Sequence, residues 1–431
     1  MNKMSKTMSC RTFLSALMTL ALVPTAWAQE TLNVDLQSAI SSALQHNKQL
    51  QASAVDREVY YQKVREARSG GLPQVSASLS TNTYFGDKLE FGGGSMDITA
   101  TTLQATANWT FSMQQIAGVK LAKIAQRLTD QTIAQTELDV KANVTDTYYA
   151  VLVYERNIEI LNSNMSDMEE IARHTENMYK YGAAERTDVD QIMVNVSTLK
   201  NSILSLQRSL ESTKRLLVLQ MGVPITTNIV TTQKIDDLMM AASDTASDKS
   251  LDIENNLSYQ QLKLSREIGE QTVKVRKFAY IPTLTATYQY TNNLRGGSFM
   301  SFKNMGMLTL SIPIFSGFQR HSQLKQAQLD VSKTDINLAL LEDNLQQNIE
   351  QYTFELQTAL DAYNLQKENL DVAKRVLDNY KNKYNQGALS SLALTQANTN
   401  YLQAETSYAS ASLDLLMAHT KLDKLYNSFG Y

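Results

Sequence analysis

The sequence predicts a mostly α protein with a small β part, built as a duplicated unit of long antiparallel helices plus two strands. Three observations predict it. Two long runs, 119–181 and 318–386, contain neither glycine nor proline. Each run follows two segments whose side chains alternate between apolar and polar, the period of a strand. Landmarks then recur at a constant offset. Gly182 and Gly387 are 205 residues apart, Phe111 and Phe315 are 204 apart, and Tyr179-x-x-Gly182 matches Tyr384-x-x-Gly387.

Residues 1–28 read as a secretory signal peptide. Lys3, Lys6 and Arg11 precede the apolar core Thr12–Val23, and Ala26-Trp27-Ala28 is a small-x-small cleavage site. The other reading, a membrane anchor, needs about 20 apolar residues, more than this core has. Cys10, the only cysteine, leaves with that segment, which excludes disulfides and cysteine metal sites from the mature chain. Removing the three basic residues of the signal leaves 37 basic against 43 acidic, a net charge of −6, which argues against nucleic acid as a partner.

The first repeat spans 29–222. A helix is expected over 32–68, then strands over about 74–85 and 99–111 on either side of a glycine-rich loop, 86–97. In the second strand Leu103, Ala105, Ala107, Trp109 and Phe111 oppose Gln104, Thr106 and Asn108. The long run to Tyr181 and a return helix over 187–220 follow. Residues 223–250 read as an irregular connecting segment. The second repeat, 251–431, expects a helix over 251–277 and strands over about 283–292 and 305–315. The second long run and a return helix over 391–426 complete it. Leu284, Ala286, Tyr288 and Tyr290 oppose Thr283, Thr285, Thr287 and Gln289. Pro73 and Pro282 sit at strand starts, where a missing N–H is tolerated.

A continuous helix over either run would be about 100 Å long. In the second run Leu338, Leu341, Leu345, Ile349, Tyr352, Leu356, Leu360 and Tyr363 recur at steps of three and four. The first run carries two stripes: Leu138, Ala142, Thr145, Tyr149 and Leu152, and Val140, Val144, Val151, Ile158, Leu161, Met165 and Met168. Two seams fit a helix with a neighbour on each side, as in a wall or cylinder; one stripe would serve a two-stranded coiled coil.

The four strands have the length of about 9–11 residues that crosses a bilayer when tilted. Four such strands cannot close alone, because the smallest membrane barrels have about eight, and open edges do not occur in lipid. Other copies of the chain must complete the sheet. Two copies give eight strands and a filled interior; three give twelve and a lumen.

No enzyme site is legible. His46, His174, His321 and His419 lie apart without metal-ligand spacing. The glycine clusters join strands to strands and so do not form a phosphate cradle. No catalytic triad or acid/base pair is found, and no cofactor or metal is expected.

The signal peptide, the duplicated plan and the ending Leu219-Gln-Met-Gly-Val-Pro224 resemble the TolC family of outer membrane efflux proteins over about 32–426. The resemblance implies a homotrimer in the outer membrane of a Gram-negative bacterium, with a twelve-stranded barrel among the lipids, continuous with a periplasmic α-helical barrel. It implies a passive duct engaged by a periplasmic adaptor (membrane fusion) protein and an inner-membrane transporter, in efflux or type I secretion. The rival reading is a periplasmic adaptor or a surface coiled coil. Both strand loops would be extracellular. Trp109, Phe111, Phe278, Tyr280 and Phe315 are candidates for a membrane-interface girdle, or else pack where barrel meets helices. Gly182, Ala183 and Ala184, with Gly387, Ala388 and Leu389, are the hairpin tips where an adaptor would dock; plain C-capping by glycine is the simpler reading. The family's periplasmic constriction is lined by aspartates, which makes Asp188 and Asp190 gate candidates, with Tyr179 and Arg186 as supports. In the family these aspartates often follow the second hairpin, whereas here they follow the first. Thr187-Asp188-Val189-Asp190 also fits a helix N-terminus with acids in its first turn.

Overall fold

The computed structural model describes residues 31–91, 94–235, 238–239, 252–295 and 302–429. The expected signal peptide, residues 92–93 of the glycine-rich segment and residues 296–301 between the last two expected strands lie outside them. The chain runs β1 (Thr31–Val34), α1 (Leu36–His46), α2 (Lys48–Ser69), β2 (Gln74–Phe91), β3 (Gly94–Phe111), α3 (Met113–Lys180), α4 (Arg186–Met221) and β4 (Asn228–Thr231). A 3-10 turn (Ile253–Asn255) leads to α5 (Leu257–Phe278), β5 (Thr283–Arg295), β6 (Asn304–Ser311), α6 (Gln319–Asn385) and α7 (Ser391–Leu425). The plan α2-β2-β3-α3-α4 thus recurs as α5-β5-β6-α6-α7, as the repeat predicts. α3 and α6 are single helices of 68 and 67 residues.

Several boundaries differ from the sequence reading. The expected helix over 32–68 is a strand and two helices. Asn47 breaks it: its Oδ1 accepts from the N–H of Gln49 at 2.8 Å, capping α2, while its Nδ2 donates to the Gln220 carbonyl at 2.8 Å. The helix expected from Leu251 starts only at Leu257, where Asn256 caps it. The glycine-rich segment 86–97 is mostly paired strand, because β2 and β3 continue pairing past a register shift between Thr83 and Lys88. β6 stops at Ser311 rather than Phe315. Its partner β5 begins at Thr283, directly opposite Ser311, and Pro313 beyond has no N–H to donate. The irregular connecting segment contains β4, which pairs in parallel with β1, so four strands are not the whole β content.

The four long strands form one antiparallel sheet in the order β2-β3-β5-β6. Register places like with like. Ala105, Ala107, Trp109 and Phe111 lie opposite Tyr290, Tyr288, Ala286 and Leu284. Val75 and Leu79 lie opposite Ala107 and Leu103, and Leu284 opposite Leu310. Directly paired residues share a face, so one side of the sheet is apolar across all four strands. Gln104–Thr291, Thr106–Gln289 and Asn108–Thr287 carry the polar side. The apolar side is uncovered: Val75 is 77% exposed and Leu308 71%. In the described chain the outer edges of β2 and β6 pair with no strand.

Beyond the sheet the helices form a wall in the order α2, α3, α5, α6, cross-braced by ion pairs. Arg57 of α2 meets Asp130 of α3 at 3.0 Å, and Arg127 of α3 meets Glu267 of α5 at 3.1 Å. Arg266 of α5 reaches Asp335 of α6 at 2.5 Å. Such exposed pairs each contribute about 0–1 kcal/mol, so they set register more than stability. Further down, α3 packs on α4 and α7, and α6 on α7. A central core gathers Val34, Val144, Tyr148, Leu217, Met221 and Leu415; a second, toward the hairpin ends, gathers Leu161, Met168, Ile192, Leu199, Leu377 and Leu394. The first stripe of α3, from Leu138 to Leu152, is buried throughout. Both α3 seams have partners, which is the wall arrangement. The predicted α6 stripe from Leu338 to Tyr363 also faces inward.

One glycine is dictated by contact. Gly222 ends α4 at φ 73°, and a Cβ there would collide with the His46 carbonyl. The end of α4 and the α1–α2 break are thereby locked together.

Candidate functional site

The two hairpin ends, α3–α4 and α6–α7, lie side by side. Each long helix stops in the same way. The N–H of Ala183 donates to the Met178 carbonyl at 2.8 Å and that of Gly182 to Tyr179 at 3.0 Å. In the second hairpin Ala388 donates to Lys383 and Gly387 to Tyr384, both at 2.9 Å. Gly182 and Gly387 have φ 74° and 73°, the left-handed conformation that this ending requires. Both glycines thus cap their helices; Gly182, Ala183, Gly387 and Ala388 are exposed, whereas Ala184 and Leu389 are half-buried.

The four gate candidates divide into two groups. The Arg186 guanidinium lies 5.9 Å from the Tyr179 ring centre and 3.0 Å from the Asp190 carboxylate, forming an exposed chain on the first hairpin. Asp188 points elsewhere. Its Oδ2 accepts from the Glu185 N–H at 3.1 Å, and its Oδ1 accepts from the Ser391 hydroxyl of the second hairpin. Asp188 is therefore both a cap and a link.

Sequence reading missed the remaining links between hairpins. Tyr384 is 5% exposed and meets the Thr175 hydroxyl at 2.8 Å. The Thr175 proton goes to the Ile171 carbonyl at 2.8 Å, so Tyr384 donates to Thr175. Burial pushes the Tyr384 phenol up from its ordinary pKa, which keeps it a neutral donor. Asn195 Nδ2 donates to Thr395 at 2.8 Å, Asn164 Nδ2 to Asn398 at 2.9 Å, and Lys381 Nζ to Asp167 at 2.7 Å. The Tyr-x-x-Gly motif was the available signal. It marks Tyr384, while its counterpart Tyr179 is 41% exposed. These polar contacts lie along the seam beside an apolar core that both hairpins share, with Leu161, Met168, Ile192 and Leu199 from the first and Leu377 and Leu394 from the second.

Farther up this seam Glu405 is 2% exposed, and its Oε2 has no hydrogen-bond partner. Burial raises its pKa to about 7, against the pull of Arg156 and Lys374. It shares a cavity with Arg156, Asn157 and Ser412.

At the other end, the aromatic candidates gather where strands join helices. Trp109 Nε1 donates to the Gly71 carbonyl at 3.0 Å, and Phe111 ends β3. Phe278 ends α5, Tyr280 lies in the turn before β5, and Phe315 meets Phe318 edge-on at 5.8 Å. Among the described residues no group of His, Cys, Asp or Glu is placed to hold a metal, and no helix is long and apolar enough to cross a membrane.

Comparison with known proteins agrees with this architecture. The family model for outer membrane efflux proteins matches residues 39–223 and 250–428. The chain is 23% identical over 410 residues to the outer membrane protein TolC of Salmonella enteritidis, covering 89% of this chain and 80% of that protein. The fold matches a crystal structure of CusC with a TM-score of 0.76 at 14% identity, over 94% of this chain and 95% of that one. It matches the Campylobacter jejuni CmeC outer membrane channel with a TM-score of 0.75 at 15% identity, over 91% and 85%. With its duplicated helix–strand plan matched on both halves, the chain belongs to the outer membrane efflux protein family, whose members are channels of the outer membrane and not enzymes.

Proposed function

We propose that this protein is the passive exit duct of a tripartite efflux or type I secretion system. The observation that carries the reading is the sheet: four strands, one continuous apolar face and two unpaired edges. In lipid such a sheet must close, and head-to-tail addition of copies joins a β6 edge to the next β2 edge in the antiparallel sense. Three copies give twelve strands and a lumen. The apolar face meets outer membrane lipids, and the aromatic residues at its base form the interface girdle on the periplasmic side. The helical wall closes into a periplasmic cylinder about 100 Å long.

At its far end the tips Gly182–Ala184 and Gly387–Leu389 receive the hairpin of a periplasmic adaptor, which connects an inner-membrane transporter. The polar seam between the hairpins is the gate. There the cross-links Tyr384–Thr175 and Ser391–Asp188 bridge the two hairpins at the tip side of the apolar core they share. Asp190, held by Arg186, supplies the negative charge near the axis.

Membrane fractionation with heat-modifiable migration, paired with an export assay in a deletion strain, tests this reading. A heat-sensitive trimer in the outer membrane and loss of export on deletion are expected. A monomeric periplasmic protein would refute it.

A further inference from the structure

Charge along the helical wall is not uniform. The three turns of α2, α3, α5 and α6 nearest the sheet, residues 59–69, 113–123, 268–278 and 319–329, hold ten Lys or Arg and two acids. The next three turns of the same helices, 48–58, 124–134, 257–267 and 330–340, hold six of each. The excess is local, because the whole chain is acidic, with 40 basic and 43 acidic residues. In the balanced turns the charges pair between helices, as in Arg57–Asp130, Arg127–Glu267 and Arg266–Asp335. Next to the sheet they do not. Glu270, one of the two acids there, is taken by Arg266 at 2.7 Å. None of the ten cations makes an ion pair among the described residues, and eight of them are exposed.

The ion pairs mark which side of the wall these cations share. At 100° per residue, Arg68 lies about 20° from Arg57 on α2, Lys120 and Lys123 within about 40° of Arg127 on α3, Lys274 about 20° from Glu267 on α5, and Lys325 about 80° from Asp335 on α6. Exposed apolar residues stand between this belt and the sheet on the same side. Phe111 ends the apolar row of β3 at 50% exposed, and Met113 and Ile116 carry it into α3, in one sector of about 80° with Lys120 and Lys123. Phe318, 71% exposed, precedes α6 in the same way. Going away from the sheet, this surface is apolar, then basic, then balanced. We infer that the basic belt binds the phosphate headgroups of acidic phospholipids in the periplasmic leaflet, so that the base of the sheet gathers acidic lipid in preference to zwitterionic lipid. The inference rests on the apolar sheet face lying in lipid, as proposed above. Headgroups begin where acyl chains end, and the basic turns begin where the exposed apolar residues end. Lys and Arg at that level lay their alkyl stems along apolar surface and carry their charge to the phosphates. Each cation near an anionic surface adds an attraction that fades within a Debye length.

Trp109 is a built-in probe. It sits on the apolar row, 47% exposed, and donates to the carbonyl of Gly71, close to Arg68 at the end of α2. With Trp27→Phe it is the only tryptophan of the chain. The full chain is reconstituted in mixed vesicles of phosphatidylcholine and phosphatidylglycerol, with brominated acyl chains on one lipid or the other, and quenching of Trp109 reports which lipid lies beside it. At about 0.01 M salt, where screening reaches about 30 Å, phosphatidylglycerol should be preferred at least about threefold. At about 1 M salt, with a screening length of about 3 Å, the preference should vanish. Lys120→Gln, Lys123→Gln, Lys277→Gln and Lys325→Gln combined should abolish it at low salt; all four positions are exposed and outside the ion pairs, so folding is preserved. Equal quenching by both lipids in the native chain, or a preference untouched by the four substitutions, would overturn the inference and leave the sheet in lipid. Exchanging chloride for inorganic phosphate at matched ionic strength should change nothing; loss of the preference would make the belt a site for free phosphate and also overturn the inference. If neither brominated lipid quenches Trp109, the sheet is not in lipid and the duct reading falls with it.

Discussion

Glu405 makes the stability of the helical region depend on pH in a direction that can be calculated. Burial raises its carboxyl from the ordinary 4.5 to about 7. The groups facing it are Arg156 of α3, Lys374 of α6 and Tyr401 of its own helix. Between those two pKa values the folded chain holds a proton that the unfolded chain has released, so stability falls as pH rises through this window. The stabilisation is fully present below pH 4.5 and lost by about pH 7. A shift of this size corresponds to about 3 kcal/mol per chain. Because the side chain is 2% exposed, solvent screening takes little from that figure. Glu405→Gln keeps the shape and removes the titration. Thermal unfolding followed by helical circular dichroism in detergent, from pH 4 to 8, should show the Gln variant gaining on the native chain across the window. By pH 8 the gap should reach about 4 °C, taking the usual unfolding entropy per residue for a chain of this length. Parallel curves for the two proteins would refute the argument, because every other titrating group is common to both.

Three further outcomes follow from the geometry. Gly222→Ala should cost well over the ~1–2 kcal/mol of a left-handed non-glycine residue, because its Cβ meets backbone, whereas Gly182→Ala, with open space around it, should cost only that amount; equal melting shifts would contradict the contact. Ala183→Trp or Ala388→Trp at the exposed tips should abolish export while trimers assemble, and normal export in both would count against docking there. Tyr384→Phe removes one inter-hairpin hydrogen bond worth about 1 kcal/mol and should raise conductance in planar bilayers, while Asp190→Ala should weaken cation preference; unchanged single-channel records for both would place the gate elsewhere.

Much of this molecule is written in local pattern. Glycine-free runs, period-two alternation and a constant repeat offset are one-dimensional signals, and each reports a helix, a strand or a duplication without reference to distant residues. The capping glycines at 182 and 387 were legible for the same reason, since a left-handed residue is a local requirement. Other features were decided by tertiary contact. Asn47 breaks a helix that its neighbours would continue because its side chain is needed at the Gln220 carbonyl, 173 residues away. β6 ends where its partner begins, a matter of register and not of its own alternation. Asp188 and Asp190 look alike in sequence, yet one is turned to Ser391 and the other to Arg186. Tyr179 and Tyr384 share a motif, and only the packing of one hairpin on the other buries the second. The sequence by itself determines which segments are helix or strand and that the plan occurs twice, because those follow from the covalent order of side chains. Which face of each element is covered, and which repeat mate is left exposed, depends on where distant segments meet. The tertiary structure alone decides that.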